Sequence, residues 1–187
     1  MNLPNILTVI RMAIVPVFIV CYYLGAGAGG TGFAIAAFVI FVAASITDAM
    51  DGHLARSRGL ETNFGKLMDP LADKALTAAA FICFVDTGTI PSWMAIVIII
   101  REFLVTGLRS VAASSGVVIA AGNSGKLKTV LQMVTISLFL LSVPLSSMVA
   151  GSLARLVATV CLWSALAVTV YSGVEYVWKC RGLLNMK

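Results

Sequence analysis

Four aspartates, two glycines, an alanine and an arginine between residues 48 and 73 are the part of the sequence best suited to chemistry. They follow the pattern Asp48-x-x-Asp51-Gly52-x-x-Ala55-Arg56-x8-Gly65-x-x-x-Asp69-x-x-x-Asp73. The surrounding stretches are apolar enough to cross a bilayer, where charged side chains are costly and rare. Mg²⁺ and Mn²⁺ prefer oxygen ligands and commonly bind beside substrate phosphates. The pattern therefore predicts a site for one or two Mg²⁺ or Mn²⁺ ions that handles a phosphorylated lipid.

The spacing of the aspartates predicts that their carboxylates converge. Asp48 and Asp51 are three residues apart, and Asp69 and Asp73 are four apart, so each pair shares one face of a helix. The connection Ser57–Lys66 is short enough to make the two helices antiparallel neighbours. Converging carboxylates repel one another, and bound cations relieve that repulsion. A proline follows Asp69 and disfavours a helical conformation for it, so Asp69 is expected to cap the second helix.

Composition identifies the elements that must position these residues. The chain has 187 residues, of which 60% are hydrophobic and 11% are charged, whereas a soluble domain has about 25% charged residues. Residues 1–187 are therefore expected to form one all-α membrane domain. A short interfacial turn at residues 3–5 and a retained first membrane helix are expected at the start. The apolar runs approach or exceed the ~20 residues needed for a span and predict six transmembrane helices, at 6–24, 32–55, 67–86, 91–113, 127–148 and 152–178.

The basic residues predict the orientation of this six-helix bundle. With six spans both termini lie on one side of the membrane, and most Lys and Arg residues fall on that side. Basic loops favour the cytoplasm, so both termini and the four aspartates are expected there. The residues concerned are Arg11, Arg56, Arg58, Lys66, Lys126, Lys128, Lys179, Arg181 and Lys187.

The pattern between residues 48 and 73 resembles the signature of the CDP-alcohol phosphatidyltransferases, and every signature position is filled. Members of this family are six-helix membrane enzymes, typically homodimers, that transfer a phosphatidyl group from a CDP-linked lipid to an alcohol and release CMP. The resemblance implies that the four aspartates bind metal and that Asp73 is the general base. It also implies that the CDP-lipid site is formed by Asp48, Asp51, Gly52, Ala55, Arg56 and Gly65.

Flanking segments narrow the resemblance to one bacterial branch of the family. Residues 4–11, 69–74, 101–109 and 125–129 are similar to the phosphatidylglycerophosphate synthases. That similarity implies CDP-diacylglycerol as donor, glycerol 3-phosphate as acceptor, and phosphatidylglycerol phosphate and CMP as products. It further implies a multi-pass protein of the bacterial cytoplasmic membrane, surrounded by lipids and without a nucleic-acid partner.

An anionic acceptor requires cationic residues, and the sequence offers several near the cytoplasmic end. Arg109, Lys126 and Lys128 form a hypothetical basic pocket for its phosphate. A self-satisfying Glu102–Arg pair and attraction of the lysines to lipid headgroups are the alternatives. The full set of acceptor-binding candidates is Thr8, Arg11, Arg101, Glu102, Arg109, Lys126 and Lys128.

Three other functions remain open from the sequence. One is a transferase of the same family with a different acceptor, such as a cardiolipin synthase or an enzyme that uses inositol phosphate or serine. Another is an ion or proton transporter, which would favour acidic residues spread through the membrane depth rather than clustered at one end. The third is a non-catalytic membrane-organising protein, which would not need the signature.

Overall fold

The structure, a computed structural model, is all-helical. It describes the backbone of residues 3–27, 30–58, 63–114 and 123–184, and the side chains of residues 9–27, 30–47, 74–110, 112 and 124–178. No strand occurs within these residues. The helices are α1 (Leu3–Ala26), α2 (Thr31–Arg58), α3 (Asn63–Asp86), α4 (Ser92–Ser114), α5 (Asn123–Ser142) and α6 (Val149–Leu184).

All six predicted helices are present, but α1 begins earlier than expected. It starts at Leu3, so the prediction of an interfacial turn at residues 3–5 is wrong. Pro4 is compatible with this start because a residue in the first helical turn has no intrahelical partner for its N–H.

Helix α3 also begins earlier than predicted. It starts at Asn63, so Asp69 lies inside the helix, and the prediction that Asp69 caps it is wrong. The described part of α2 reaches Arg58, also beyond its predicted end at residue 55. Membrane-spanning helices tolerate proline because neighbouring groups satisfy the freed backbone atoms.

Helix α5 ends earlier than its hydropathy suggests. It stops at Ser142 rather than at residue 148, and a compact turn follows. In this turn the N–H of Ser146 donates to the carbonyl of Val143 at 3.2 Å, and that of Met148 donates to Leu145 at 2.9 Å. The turn is rich in apolar residues, so hydropathy alone extended the helix through Pro144.

The helices alternate in direction. Tyr22 and Thr87 join the C-terminal ends of α1 and α3 through a 2.7 Å hydrogen bond. Trp93 and Arg101 on α4 meet Trp163 and Ser172 on α6 in the same order along both helices, so α4 and α6 run parallel. One end of the bundle therefore gathers the C-terminal parts of α2, α4 and α6 with the N-terminal parts of α1, α3 and α5. We call it the motif end, and the opposite end the far end.

Aromatic side chains form much of the core toward the far end. Phe18, Phe41, Phe81 and Phe84 are essentially inaccessible to solvent. Phe84 and Phe139 meet edge to face with ring centroids 5.4 Å apart, an arrangement that aromatic pairs favour. The same core cluster receives residues from all six helices.

Three helical stretches in the described part of the chain are long and apolar enough to cross a membrane: Val9–Ala26, Ser124–Ser142 and Val149–Trp178. Residues Thr31–Thr47 form a shorter apolar helix. Helix α4 is of sufficient length but contains Arg101, Glu102 and Arg109. Large apolar side chains on the outside of the bundle, including Val149, Leu156 and Trp178, are exposed, as expected of a surface in contact with lipid.

Candidate active site at the motif end

The backbone brings the helices that carry the signature to the motif end. Asp48 and Asp51 lie in the C-terminal part of α2, and Asp69 and Asp73 lie in the N-terminal part of α3. The side chains of all signature residues lie outside the described ones: Asp48, Asp51, Gly52, Ala55, Arg56, Gly65, Asp69 and Asp73. Their roles remain predictions.

A largely buried cluster of charges lies beside these helices. The Nζ atom of Lys128 donates to Oε1 of Glu102, and Nη1 of Arg101 lies 3.4 Å from the same oxygen. The side chains of Arg101, Glu102 and Lys128 are 12%, 13% and 4% exposed, respectively. A buried ion costs several kcal/mol, about 3–5 kcal/mol when its partner is removed, so Lys128 depends on Glu102.

Helix α6 supports the cluster through a chain of hydroxyl groups. Nη2 of Arg101 donates to Oγ of Ser172 at 3.0 Å, and this hydroxyl donates to the carbonyl of Thr169 at 3.1 Å. Nε2 of Gln132 on α5 lies 3.5 Å from Oγ1 of Thr169. Helices α4, α5 and α6 are therefore tied together by polar contacts at one depth.

A second polar contact joins α5 to α6 near the start of α5. The hydroxyl of Ser124 donates to Oε2 of Glu175 at 2.7 Å. Tyr176 follows Glu175 and is buried, whereas Tyr171 is exposed. The contact fixes the N-terminal turn of α5, in which Lys126 lies, against α6.

Lys74 connects the charged cluster to the signature helix α3. It follows Asp73 in the sequence, on a helix that packs against both α4 and α5. The cluster therefore borders the part of α3 that carries the proposed general base.

The predicted acceptor residues fall into different environments. Arg101, Glu102 and Lys128 come together in one cluster. This confirms the alternative of a Glu102–Arg contact and adds Lys128 as a second partner of Glu102. Arg109 and Lys126 are exposed, and Arg11 is partly exposed. The pocket of Arg109, Lys126 and Lys128 stays a prediction, and the side chain of Thr8 lies outside the described residues.

Sequence reasoning missed the polar residues that hold the cluster in place. Ser172 and Thr169 are three apart on α6, and Gln132 follows Lys128 by one helical turn. Polar residues that recur at helical spacing within an apolar span mark the face turned toward other helices. The helical spacing of these polar residues was therefore the signal that could have identified them as contacts between helices.

An apolar groove of about 660 Å³ runs along the contact between α4 and α6. Its walls include Ile96, Ile100 and Val174, and Arg101 contributes to its floor. Gly173 makes this close approach possible, because a Cβ there would lie 3.2 Å from Cγ of Arg101.

The donor set of the signature fits a hard divalent cation, since it consists of carboxylates from two consecutive helices. Among the side chains that the structure describes there is no group of three or more His, Cys, Asp or Glu residues suited to a metal ion. The four aspartates are not among those side chains.

The chain belongs to the CDP-alcohol phosphatidyltransferase family, whose sequence model matches residues 1–171. The match includes the whole signature and the cluster of α4 and α5.

Individual relatives are similar over nearly the full chain. A CDP-diacylglycerol–glycerol-3-phosphate 3-phosphatidyltransferase of Bacillus subtilis (strain 168) is 44% identical, with 94% of this chain and 93% of the relative covered. A probable phosphatidylglycerophosphate synthase of Mycobacterium tuberculosis (strain H37Rv) is 43% identical, with coverages of 94% and 80%. A CDP-diacylglycerol–glycerol-3-phosphate 3-phosphatidyltransferase of Rickettsia bellii is 36% identical, with 96% of each chain covered.

Proposed function

We propose that this protein is an enzyme that transfers the phosphatidyl group of CDP-diacylglycerol to glycerol 3-phosphate. The products are phosphatidylglycerol phosphate and CMP. The observation that carries the proposal is the complete signature on α2 and α3, next to a cationic cluster, in a chain 44% identical to a relative named for this reaction.

In the proposed reaction, the terminal hydroxyl of glycerol 3-phosphate attacks the phosphorus that is bonded to diacylglycerol. The bond from that phosphorus to the bridging oxygen breaks, and CMP leaves. Asp73 accepts the proton of the attacking hydroxyl. A positioned carboxylate of this kind contributes about 10²- to 10⁴-fold to a rate.

Asp48, Asp51, Asp69 and Asp73 would hold one or two Mg²⁺ or Mn²⁺ ions. When bound, such ions neutralise the donor diphosphate and the departing CMP. Gly52, Ala55 and Gly65 would leave space for the nucleotide, and Arg56 presents a planar guanidinium suited to a phosphate.

The acceptor phosphate is assigned to the exposed cations at the motif end. Arg109 and Lys126 are accessible, whereas Lys128 is held by Glu102 and lies behind them as a fixed positive charge. Arg11 and Thr8 stay candidates on α1. This assignment explains why an anionic acceptor would be favoured over serine.

We further propose six membrane spans with the motif end and both termini in the cytoplasm. The described basic residues near this end, among them Lys74, Arg109 and Lys126, follow the bias expected of cytoplasmic segments. A homodimer in the bacterial cytoplasmic membrane is the proposed assembly, and the mass of the detergent-solubilised protein tests it.

One assay tests the proposed function directly. Purified protein in detergent with Mg²⁺ or Mn²⁺ is incubated with CDP-diacylglycerol and, separately, glycerol 3-phosphate, phosphatidylglycerol, inositol phosphate and serine, and CMP release is followed. Release with glycerol 3-phosphate above the other acceptors is expected. Release with another acceptor alone would reassign the substrate, and no release with any acceptor would contradict transferase activity.

A further inference from the structure

The Glu102 carboxylate has acceptor capacity that the described side chains do not use. Both of its contacts, from Lys128 and from Arg101, end on Oε1. Among the described side chains, no donor reaches Oε2. A carboxylate can accept about four hydrogen bonds, so Oε2 remains able to bind a donor from outside the cluster.

The surroundings favour a small polar ligand at this oxygen. Glu102 is the more exposed member of its pair with Lys128, so the carboxylate lies nearer to open space than the ammonium does. Nε of Arg101 is buried and has no hydrogen-bond partner among the described residues. Buried polar groups usually have such partners, so the cluster as it stands leaves both an acceptor and a donor unfilled.

The location of the cluster connects it to the reaction. Helix α3, which carries Asp73, packs against α4 and α5, the helices that carry Glu102 and Lys128, and Glu102 contacts Lys128 directly. A molecule attacked near Asp73 can therefore place a second group within the neighbourhood of Glu102. Glycerol 3-phosphate has such a group, because one hydroxyl attacks and the secondary hydroxyl stays unreacted.

We propose that Glu102 is a specificity-determining residue that accepts a hydrogen bond at Oε2 from the secondary hydroxyl of glycerol 3-phosphate. The proposal rests on the proposed function and names how that site recognises its acceptor. Oε1 keeps Lys128 in place at the same time. The same carboxylate therefore stabilises the cluster and recognises the acceptor. A hydrogen bond to a charged group corresponds to roughly 10- to 100-fold in kcat/KM.

Two acceptors that differ by this hydroxyl provide the test. Glycerol 3-phosphate has it, and 3-hydroxypropyl phosphate lacks it while keeping the phosphate and the terminal hydroxyl. The kcat/KM for each is measured by CMP release with the wild type, Glu102→Gln and Glu102→Asp. The wild type is expected to prefer glycerol 3-phosphate by roughly 10- to 100-fold, and both variants are expected to lose most of this preference.

Ser172→Ala serves as the matched control. It removes a partner of Arg101 but leaves the contact between Glu102 and Lys128, so it is expected to keep the wild-type ratio even if its total activity falls. A purely structural role for Glu102, or a role as the base, would lower kcat/KM for both acceptors alike. An unchanged ratio in both Glu102 variants would overturn the proposal.

For variants whose turnover is too slow to measure, acceptor binding is measured instead. The thermal stabilisation of the intact protein by each acceptor is measured without donor, since a ligand raises stability according to its affinity. Glycerol 3-phosphate is expected to stabilise the wild type more than 3-hydroxypropyl phosphate does, and Glu102→Asp to equalise the two shifts. Glu102→Asp retains a charge for Lys128, so it tests the idea even if Glu102→Gln fails to fold. Absence of CMP release by the wild type with glycerol 3-phosphate would instead contradict the proposed function.

Discussion

The two ends of the bundle are built from different interactions. The far end is packed by aromatic rings and closed by the Tyr22–Thr87 hydrogen bond, whereas the motif end contains the Arg101–Glu102–Lys128 cluster. An apolar core tolerates substitution by other apolar residues of similar volume. A buried charge, in contrast, is destabilising unless a specific partner is present. The contrast suggests that the far end mainly stabilises the fold and that the motif end is constrained by chemistry.

The strongest test of this difference between the two ends replaces one aspartate at each end by asparagine. Asp51→Asn at the motif end is expected to reduce CMP release by at least about 100-fold, the scale of losing one preorganised charge contact, while the protein stays folded. Asp86→Asn, at the far end of α3, is the matched control and is expected to retain activity. Normal transfer by Asp51→Asn in detergent with Mg²⁺ or Mn²⁺ would refute the metal site.

The converse test removes an aromatic ring from the far end. Phe84→Ala is expected to lower the free energy of unfolding by about 3–5 kcal/mol, because Phe84 packs against Phe81, Phe139 and Tyr22. Activity per folded molecule should be unchanged. Denaturant or thermal unfolding in detergent gives the stability, and CMP release at a temperature where both proteins are folded gives the activity.

Ile82→Ala is the control for this variant. Ile82 lies on the same helix but is exposed, so its truncation should change stability far less. Equal losses from both positions would mean that burial at the far end does not determine stability.

The smallest effect is expected from the hydrogen bond that closes the far end. Tyr22→Phe removes the hydroxyl that meets Thr87 and should lower the free energy of unfolding by about 1 kcal/mol, without changing KM for either substrate. Tyr171→Phe, at an exposed position, should leave stability unaltered. A changed KM in Tyr22→Phe would show that the two ends are coupled.

The six helices were predictable because each follows an apolar run of the sequence. The polar and charged residues between these runs mark where the helices end. The errors occur where one signal conflicts with another. Pro4 and Pro70 suggested a turn and a helix cap, but both lie inside helices. The apolar residues around Pro144 suggested helix, but they form a turn.

The candidate site was predictable in its residue types and less so in its contacts. The signature between residues 48 and 73 stands out because charges are rare in apolar spans, and the family it indicated is the one to which the chain belongs. The burial of Lys128 against Glu102 was not predictable, since linear spacing does not relate residues on different helices. The same reason explains why Ser172 was missed as a partner of Arg101.

The length of α6 indicates at what depth in the membrane the Arg101–Glu102–Lys128 cluster lies. The helix has 36 residues and is about 54 Å long at 1.5 Å per residue, whereas the hydrocarbon layer is about 30 Å thick. Counted from Val149, Ser172 lies about 35 Å along the helix axis. If α6 enters the bilayer at Val149, the contact between Arg101 and Ser172 falls at the opposite headgroup boundary. At this boundary a water-soluble phosphate reaches the site from the water, and a lipid-linked diphosphate reaches it from the membrane.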